Sequence, residues 1–111
     1  MSTDDDVRRL SIALPEVTER TSYGMPAFYV ADRIFVRLHE EPGVLVAWRE
    51  SVEDREELVA ADPQKFFTTD HYRGHASILV RLGQVDADEL SELLAEAWEA
   101  RAPMRLRAHD G

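Results

Sequence analysis

The spacing of hydrophobic residues changes along this chain between a helical period and a strand-like period. From Val7 to Leu14 apolar residues recur at helical spacing, which predicts a first helix that ends at Pro15. Thr3, followed three residues later by Asp6, is a capping-box pattern and marks the start of this helix.

A hydrophobic period of two follows and predicts strands. Residues 27–30 and 33–38 are separated by only two residues, which predicts a tight hairpin. The turn pair is Ala31-Asp32, which is not among the pairs that such turns favour. Residues 44–48 are apolar at every position, as is typical of an interior strand buried on both faces.

The second half of the chain predicts a helix, a strand and a longer helix. A helix is expected from Ser51 to about Ala61, and residues 66–67, both phenylalanine, are expected to form a turn packed under the sheet. Residues 76–82 alternate as a strand, and residues 86–98 carry a cap and a helical apolar stripe. The order α-β-β-β-α-β-α favours an α+β fold, a single domain over residues 1–111 with helices packed on one antiparallel sheet.

The amino-acid composition limits the kinds of chemistry that this chain can perform. The chain has 111 residues, 44 % hydrophobic and 32 % charged, which is typical of a globular domain rather than a disordered one. It has no cysteine, which excludes disulfides, thiol catalysis and cysteine-ligated metals. Its glycines form no phosphate loop and no serine lies in a nucleophile elbow, so we expect neither an enzyme nor a cofactor. Without a long apolar run, we expect a cytoplasmic protein with no membrane partner.

Charge is distributed unevenly along the chain. The formal net charge is -9, which on average repels a polyanion such as nucleic acid. Residues 20–39, 63–81 and 101–111 nevertheless each carry a formal charge of +2. Positive charge therefore collects on the predicted hairpin, on the histidine-containing loop after the second predicted helix and on the C-terminal segment. Scatter of this size is also common in proteins that bind nothing charged.

One face of the predicted hairpin combines phenylalanine with arginine. If Val30 pairs with Arg33 and Phe28 with Phe35, five side chains share this face. They are Phe28, Val30, Arg33, Phe35 and Arg37. Such a face can stack bases and bind phosphates. Alternatively, helices cover one sheet face while the arginines extend from the rim of the other, or Phe28 and Phe35 form a protein interface.

The loop around residues 70–75 is a second candidate site. His71, Arg73 and His75 could bind an anion, with Lys65 and Arg81 nearby in the sequence. The alternative is a polar surface loop whose tyrosine packs back onto the core. A metal site at the two histidines is not expected, because the glycine between them argues against the helix that would align their imidazoles.

Six short segments in order resemble the MmcQ/YjbR family. They are Leu14-Pro15-Glu16-Val17, Tyr23-Gly24-Met25-Pro26-Ala27-Phe28, Asp62-Pro63 to Phe66-Phe67, His71-Tyr72, Ile78 to Leu82, and Ala97-Trp98 to Pro103. The resemblance implies a fold similar to secretion-chaperone-like domains and double-wing DNA-binding modules, and a DNA-binding role that rests on fold analogy. It brings no catalytic residues. The chain departs from the family pattern at Arg73 and His75, which add positive charge, and at Met104, where the family often has lysine.

Two functional hypotheses follow. The first is a noncatalytic DNA-binding domain whose anion contacts come from basic residues of the hairpin, the loop, the strand after it and the C-terminal segment. These residues are Arg33, Arg37, Lys65, His71, Arg73, His75, Arg81 and Arg105. The second is a protein-interaction domain, for example a homodimer formed through Phe28 and Phe35, with no nucleic-acid role. If the first is right, acid pH should raise DNA affinity by charging the four histidines, His39, His71, His75 and His109.

Overall fold

The computed structural model describes residues 1–107. The strands are β1 (Val17–Ser22), β2 (Met25–Val30), β3 (Arg33–Leu38), β4 (Val44–Trp48), β5 (Phe66–Phe67) and β6 (Ser77–Arg81). The helices are α1 (Asp4–Ile12), α2 (Val52–Ala61), α3 (Ala87–Arg101) and α4 (Met104–Arg107), with 3-10 turns at Asp70–Tyr72 and Leu82–Gln84. The strands form one antiparallel sheet in the order β1-β2-β3-β4-β6-β5, which confirms the α+β fold.

The sheet and helices form two layers around one main core. Helices α1 and α3 pack against one face of the sheet, where Leu90 and Leu94 of α3 lie in a cluster with Leu45 and Val80 from the strands. Trp98 closes this layer, and its indole Nε1 donates a hydrogen bond to the Pro15 carbonyl at 3.0 Å. Burial of this apolar stripe, more than helix propensity, stabilises α3 against the sheet.

The other sheet face, called here the open face, has a much smaller apolar cluster. Val44, Val46 and Leu79 form it. The side chains packed on this cluster include Phe67 and Tyr72, which come from the segment after α2. Within residues 1–107, this face is therefore covered by a loop rather than by a helical layer, and part of it stays accessible.

The helix caps form as the sequence predicts. Thr3 and Asp6 exchange the reciprocal hydrogen bonds of a capping box at the start of α1, and Asp86 and Glu89 do the same for α3. The Ser51 side chain accepts a hydrogen bond from the backbone N–H of Asp54 at 3.0 Å and caps α2.

The predicted pairing of the hairpin is wrong by one residue beyond its turn. Val30 lies opposite Arg33, as predicted, but Phe28 lies opposite Val36 because a β-bulge places Phe35 between paired positions. Phe35 and Val36 are consequently both fully buried in the main core. The extra residue moves Arg37 to the open face, away from the two phenylalanines with which it was predicted to share a surface.

Two strands and one α-helix were not predicted. β1 was missed because five of its six residues are polar and its middle four are exposed, so the strand has no apolar alternation. Residues 66–67 form a two-residue strand paired with β6 rather than a turn under the sheet. The short α4 follows Pro103, where the sequence offers too few residues for a helical period. No helix within residues 1–107 combines the length and apolar character needed to span a membrane.

Candidate functional site

The open face of the sheet carries a cleft of about 820 Å³. Ile34, Val46 and Trp48 form its apolar floor, and the turn at Ser22 and Tyr23 stands at its rim. The remaining lining comes from β2, β3, β6 and two loops. These residues are Tyr29, Arg37, His39, Glu40, Thr69, His71, Tyr72, His75 and Ser77.

Arg37 is the central charged group of the cleft. The bulge in β3 places it here, only 7 % exposed, beside the apolar floor. Its guanidinium donates to the Tyr72 hydroxyl at 2.8 Å and to the Glu40 carboxylate at 3.1 Å. It also lies 5.6 Å from the centre of the Tyr23 ring. The Glu40 carboxyl has a pKa below its usual value. The main cause is the hydrogen bond it accepts from its own backbone N–H, and the second is the bond it accepts from Arg37.

Three histidines surround Tyr72 at the rim. The ring centres of His71, His39 and His75 lie 4.8, 6.2 and 6.4 Å from that of Tyr72. His39 Nδ1 accepts a hydrogen bond from the Glu41 backbone N–H at 3.0 Å, a contact available only while that nitrogen carries no proton. His71 and His75 are exposed. The three imidazoles that residues 1–107 contribute thus all lie at this cleft, whereas His109 falls outside the described residues.

Arg55 shapes the cleft without touching it. It lies in α2, is fully buried, and donates to the carbonyl oxygens of Tyr72, Arg73 and His75 at 2.9, 2.9 and 3.0 Å. These bonds fix the loop of residues 68–76, called here the histidine loop, over the open face. Sequence reasoning missed Arg55 because α2 is rich in acids and resembles a solvated helix. One signal in the sequence could have indicated it: α2 has no continuous apolar stripe, so the residue that this helix buries can be polar.

Several predicted anion-binding residues are already paired with carboxylates. Arg73 contacts Asp70 at 2.6 Å, and Arg105 makes a two-pronged pair with Glu16 at 3.0 and 3.1 Å. Lys65 is the third paired base. Its ammonium donates to Glu89 and lies 3.7 Å from Asp62, and the Glu89 contact raises the pKa of Lys65 above its usual value.

Two further predicted bases lie apart from the cleft. Arg33 is exposed near the end of α3 and reaches the Arg101 carbonyl at 3.5 Å. Arg81 lies over the Phe67 ring, 4.0 Å from its centre, and reaches the Pro63 carbonyl at 3.5 Å. Of the eight predicted bases the structure therefore gathers only Arg37, His71 and His75 at the cleft.

The predicted interface of Phe28 and Phe35 is wrong. Both side chains are fully buried within the single chain and belong to the main core under α1 and α3. Phe28 and Phe35 both face the helical layer, and the bulge brings Val36 inward beside Phe35. Neither ring can contact a partner while the domain is folded.

A metal site is not formed by the described residues. Within residues 1–107, no group of three histidine, aspartate or glutamate side chains comes close enough to bind an ion. The His71 and His75 rings lie 6.4 Å apart, centre to centre, at an angle of 37°.

The fold and the cleft define a class: a two-layer α+β domain with one helix-covered sheet face and one concave, accessible face. The sequence model of the YjbR family matches residues 12–100. The chain belongs to the YjbR family.

Similar proteins extend over nearly the whole chain. The uncharacterized proteins Mb2600 of Mycobacterium bovis and Rv2570 of Mycobacterium tuberculosis are each 32 % identical over 120 residues, covering 96 % of this chain and 93 % of theirs. The crystal structure of Deinococcus radiodurans protein DR2400, which has the DUF419 domain, matches with a TM-score of 0.72 and 29 % identity. That match covers 88 % of this chain and 77 % of DR2400.

Proposed function

We propose that this protein is a noncatalytic binding domain whose ligand occupies the cleft on the open face. The observation that supports the proposal is the cleft itself, about 820 Å³ over a floor of Ile34, Val46 and Trp48. Sites for small molecules are concave, mostly apolar and roughly 300–1,000 Å³ in volume, with a few polar groups that orient the ligand. The cleft meets each of these criteria.

The way the cleft is built also supports binding. Its floor lies on strands at the centre of the sheet, and its rim is fixed by Arg55 and by the bond from Arg37 to Tyr72. A site formed before the ligand arrives avoids the entropy cost of ordering it. The relatives Mb2600 and Rv2570 are uncharacterized, so the proposal rests on the geometry of this chain.

A neutral fluorescent probe tests the cleft. N-phenyl-1-naphthylamine should bind the wild-type protein, with energy transfer from Trp48 to the bound probe. Ile34→Trp places a larger side chain at a half-buried position on the floor. It should weaken probe binding by about tenfold or more, because the indole occupies the space in which the probe would bury its apolar surface.

The matched control is Ile12→Trp. It introduces the same side chain at an isoleucine of α1 that is 47 % exposed and lies outside the cleft lining, and it should leave probe affinity unchanged. Absence of probe binding to the wild type, or equal affinity in both variants, would contradict the proposal.

DNA binding is the second proposed function. The family resemblance supports it, together with arginines that have no carboxylate partner among residues 1–107, such as Arg33 and Arg81. Opposing it are the net charge of -9 and the carboxylate pairs of Arg73, Lys65 and Arg105. The cleft is therefore the favoured site.

Fluorescence anisotropy with duplex DNA as salt is raised tests this second function. Neutralising three or four phosphates should give a log-log slope of about -3. Arg73→Glu should weaken binding to all sequences alike, because a phosphate contact positions the protein without reading the bases. The control is Arg9→Glu, the same charge change on the helical layer. No binding at low salt, or equal loss in both variants, would rule out the histidine loop as a DNA site.

A further inference from the structure

We propose that the cleft binds a small aromatic anion, with its ring on the apolar floor and its acid group at Arg37, His71 and His75, and that affinity rises as the solution is acidified. This inference rests on the proposed function and specifies the ligand class of the same site. An aromatic carboxylate, sulfonate or phosphate shares the required chemistry.

The aromatic part of the ligand is indicated by the walls and the floor. Tyr29 and Trp48 border the cleft, and Tyr23 lies at its rim with a side chain 86 % exposed. Tyr23 remains at this position because it occupies the first place of a two-residue turn, with φ at 52° followed by Gly24 at 78°. The turn fixes the backbone of Tyr23, and only the two side-chain torsions of the ring must be ordered when it stacks on a ligand.

The sign of the ligand charge follows from the groups that face the cleft. Arg37 pairs with Glu40, and Arg73 pairs with Asp70 on the histidine loop, so these four charges largely cancel. Arg101 of α3 does not line the cleft, but its guanidinium lies 5.6 Å from the centre of the Trp48 ring and has no carboxylate partner within residues 1–107. The remaining balance is positive, which favours an anion over a cation.

Acidification adds to this balance through two particular histidines. Histidine is the residue whose ordinary charge change falls between about pH 5 and 8. His71 and His75 are exposed at the rim, and the hydrogen bonds of the histidine loop within residues 1–107 involve neither imidazole. His39 differs, because a proton on Nδ1 would break its bond from the Glu41 N–H. The gain in positive charge on acidification is therefore expected from the histidine loop.

Two dyes that differ by one sulfonate separate the contributions of ring and charge. N-phenyl-1-naphthylamine is neutral, and 8-anilino-1-naphthalenesulfonate carries the same ring system with a sulfonate that stays charged. Between about pH 8 and about pH 6 at constant ionic strength, the affinity of the sulfonate should rise roughly threefold to tenfold, as expected for added charge a few ångströms away. The affinity of the neutral dye should stay constant.

Histidine variants assign the effect. His71→Gln combined with His75→Gln should remove most of the pH-dependent gain, whereas His39→Gln, the matched control on the same rim, should retain it. If both dyes bind the cleft and the sulfonate shows no gain, or the gain persists in the double variant, the anion inference is overturned while the proposed function stands. If Ile34→Trp weakens neither dye, the proposed function itself fails.

Discussion

At the scale of single residues, buried arginines determine the shape of the accessible face. Arg37 is 7 % exposed and Arg55 is fully buried. Neither side chain contacts only a carboxylate, because each also donates to neutral oxygens. A guanidinium has five N–H donors in a rigid plane, so it can join several backbone segments at once. In this protein Arg37 joins β3 to Tyr72, and Arg55 joins α2 to the histidine loop.

Replacing Arg55 should loosen the histidine loop. Arg55→Met keeps an unbranched apolar side chain but leaves three loop carbonyls without their donor, and we expect the free energy of unfolding to fall by about 3 kcal/mol. Urea denaturation measures the change. Arg73→Met, at a side chain 77 % exposed, should change it by less than about 0.5 kcal/mol. Similar losses in both variants would contradict the role assigned to Arg55.

Ala31 is a residue under backbone strain. It occupies the first central position of the β2–β3 turn with φ at 47°, in the left-handed region that penalises a Cβ atom. Ala31→Gly should raise the free energy of unfolding by about 0.5–1 kcal/mol, because relief of strain exceeds the added entropy of the unfolded chain. Ala95→Gly, the same change inside α3, should lower it by about 1 kcal/mol. A loss at both positions would show that the turn is unstrained.

At the scale of elements, exposed ion pairs connect helices to the edge of the sheet. Arg8 of α1 donates to Glu19 of β1 at 3.0 and 3.1 Å, and Arg105 of α4 pairs with Glu16 just before β1. The edge strand β1 pairs along its length with β2 but buries little apolar surface, so these ion pairs are the side-chain contacts that tie it to the helices. Arg105 and Arg8 lower the pKa of the Glu16 and Glu19 carboxyls below their usual value near 4.5.

These pKa shifts predict that acid pH weakens the attachment of the edge strand β1. A carboxyl whose folded pKa is depressed contributes stability above its unfolded pKa, and this contribution is lost as the pH falls through the folded pKa. Glu16→Gln combined with Glu19→Gln should therefore lower the melting temperature at about pH 6, and the variant and wild-type curves should converge near about pH 3. The control is Glu92→Gln on α3. A constant gap between wild type and double variant down to pH 3 would refute this prediction.

At the scale of the whole molecule, the sheet order sets a gradient of stability. β4 lies between β3 and β6 and is covered on both faces at most positions, whereas β1 is an edge strand with four exposed residues. The Cα radius of gyration is 13.1 Å, as expected for a compact chain of this length, about 13 Å. The accessible face is therefore a local feature of a well-packed domain.

Hydrogen exchange should reveal this gradient. Amides of β3, β4 and β6 should exchange only through global unfolding, with protection equal to the global free energy of unfolding. The outward-facing amides of β1 have no strand partner and should exchange by local opening, far faster than the inward-facing amides of the same strand that bond to β2. Equal protection of both sets would indicate that the edge is covered in solution.

The sequence by itself determined the elements whose signals are local. The capping boxes at Thr3 and Asp86, the apolar run of residues 44–48 and the apolar stripe of α3 depend on neighbours a few residues away, and all four form as predicted. The fold class follows from their order. The histidine loop was also recognised as a candidate site, since charge and turn residues are visible in the sequence.

Only the tertiary structure decided which side chains meet. One extra residue at the Phe35 bulge reverses the direction of Arg37, and no local pattern announces a bulge, because its benefit is the burial of both Phe35 and Val36 under distant helices. In the sequence Arg55 resembles a solvated residue, because the loop carbonyls to which it donates lie up to about 20 positions later in the chain. The cleft is the product of these long-range contacts, and a period-2 pattern carries no information about them.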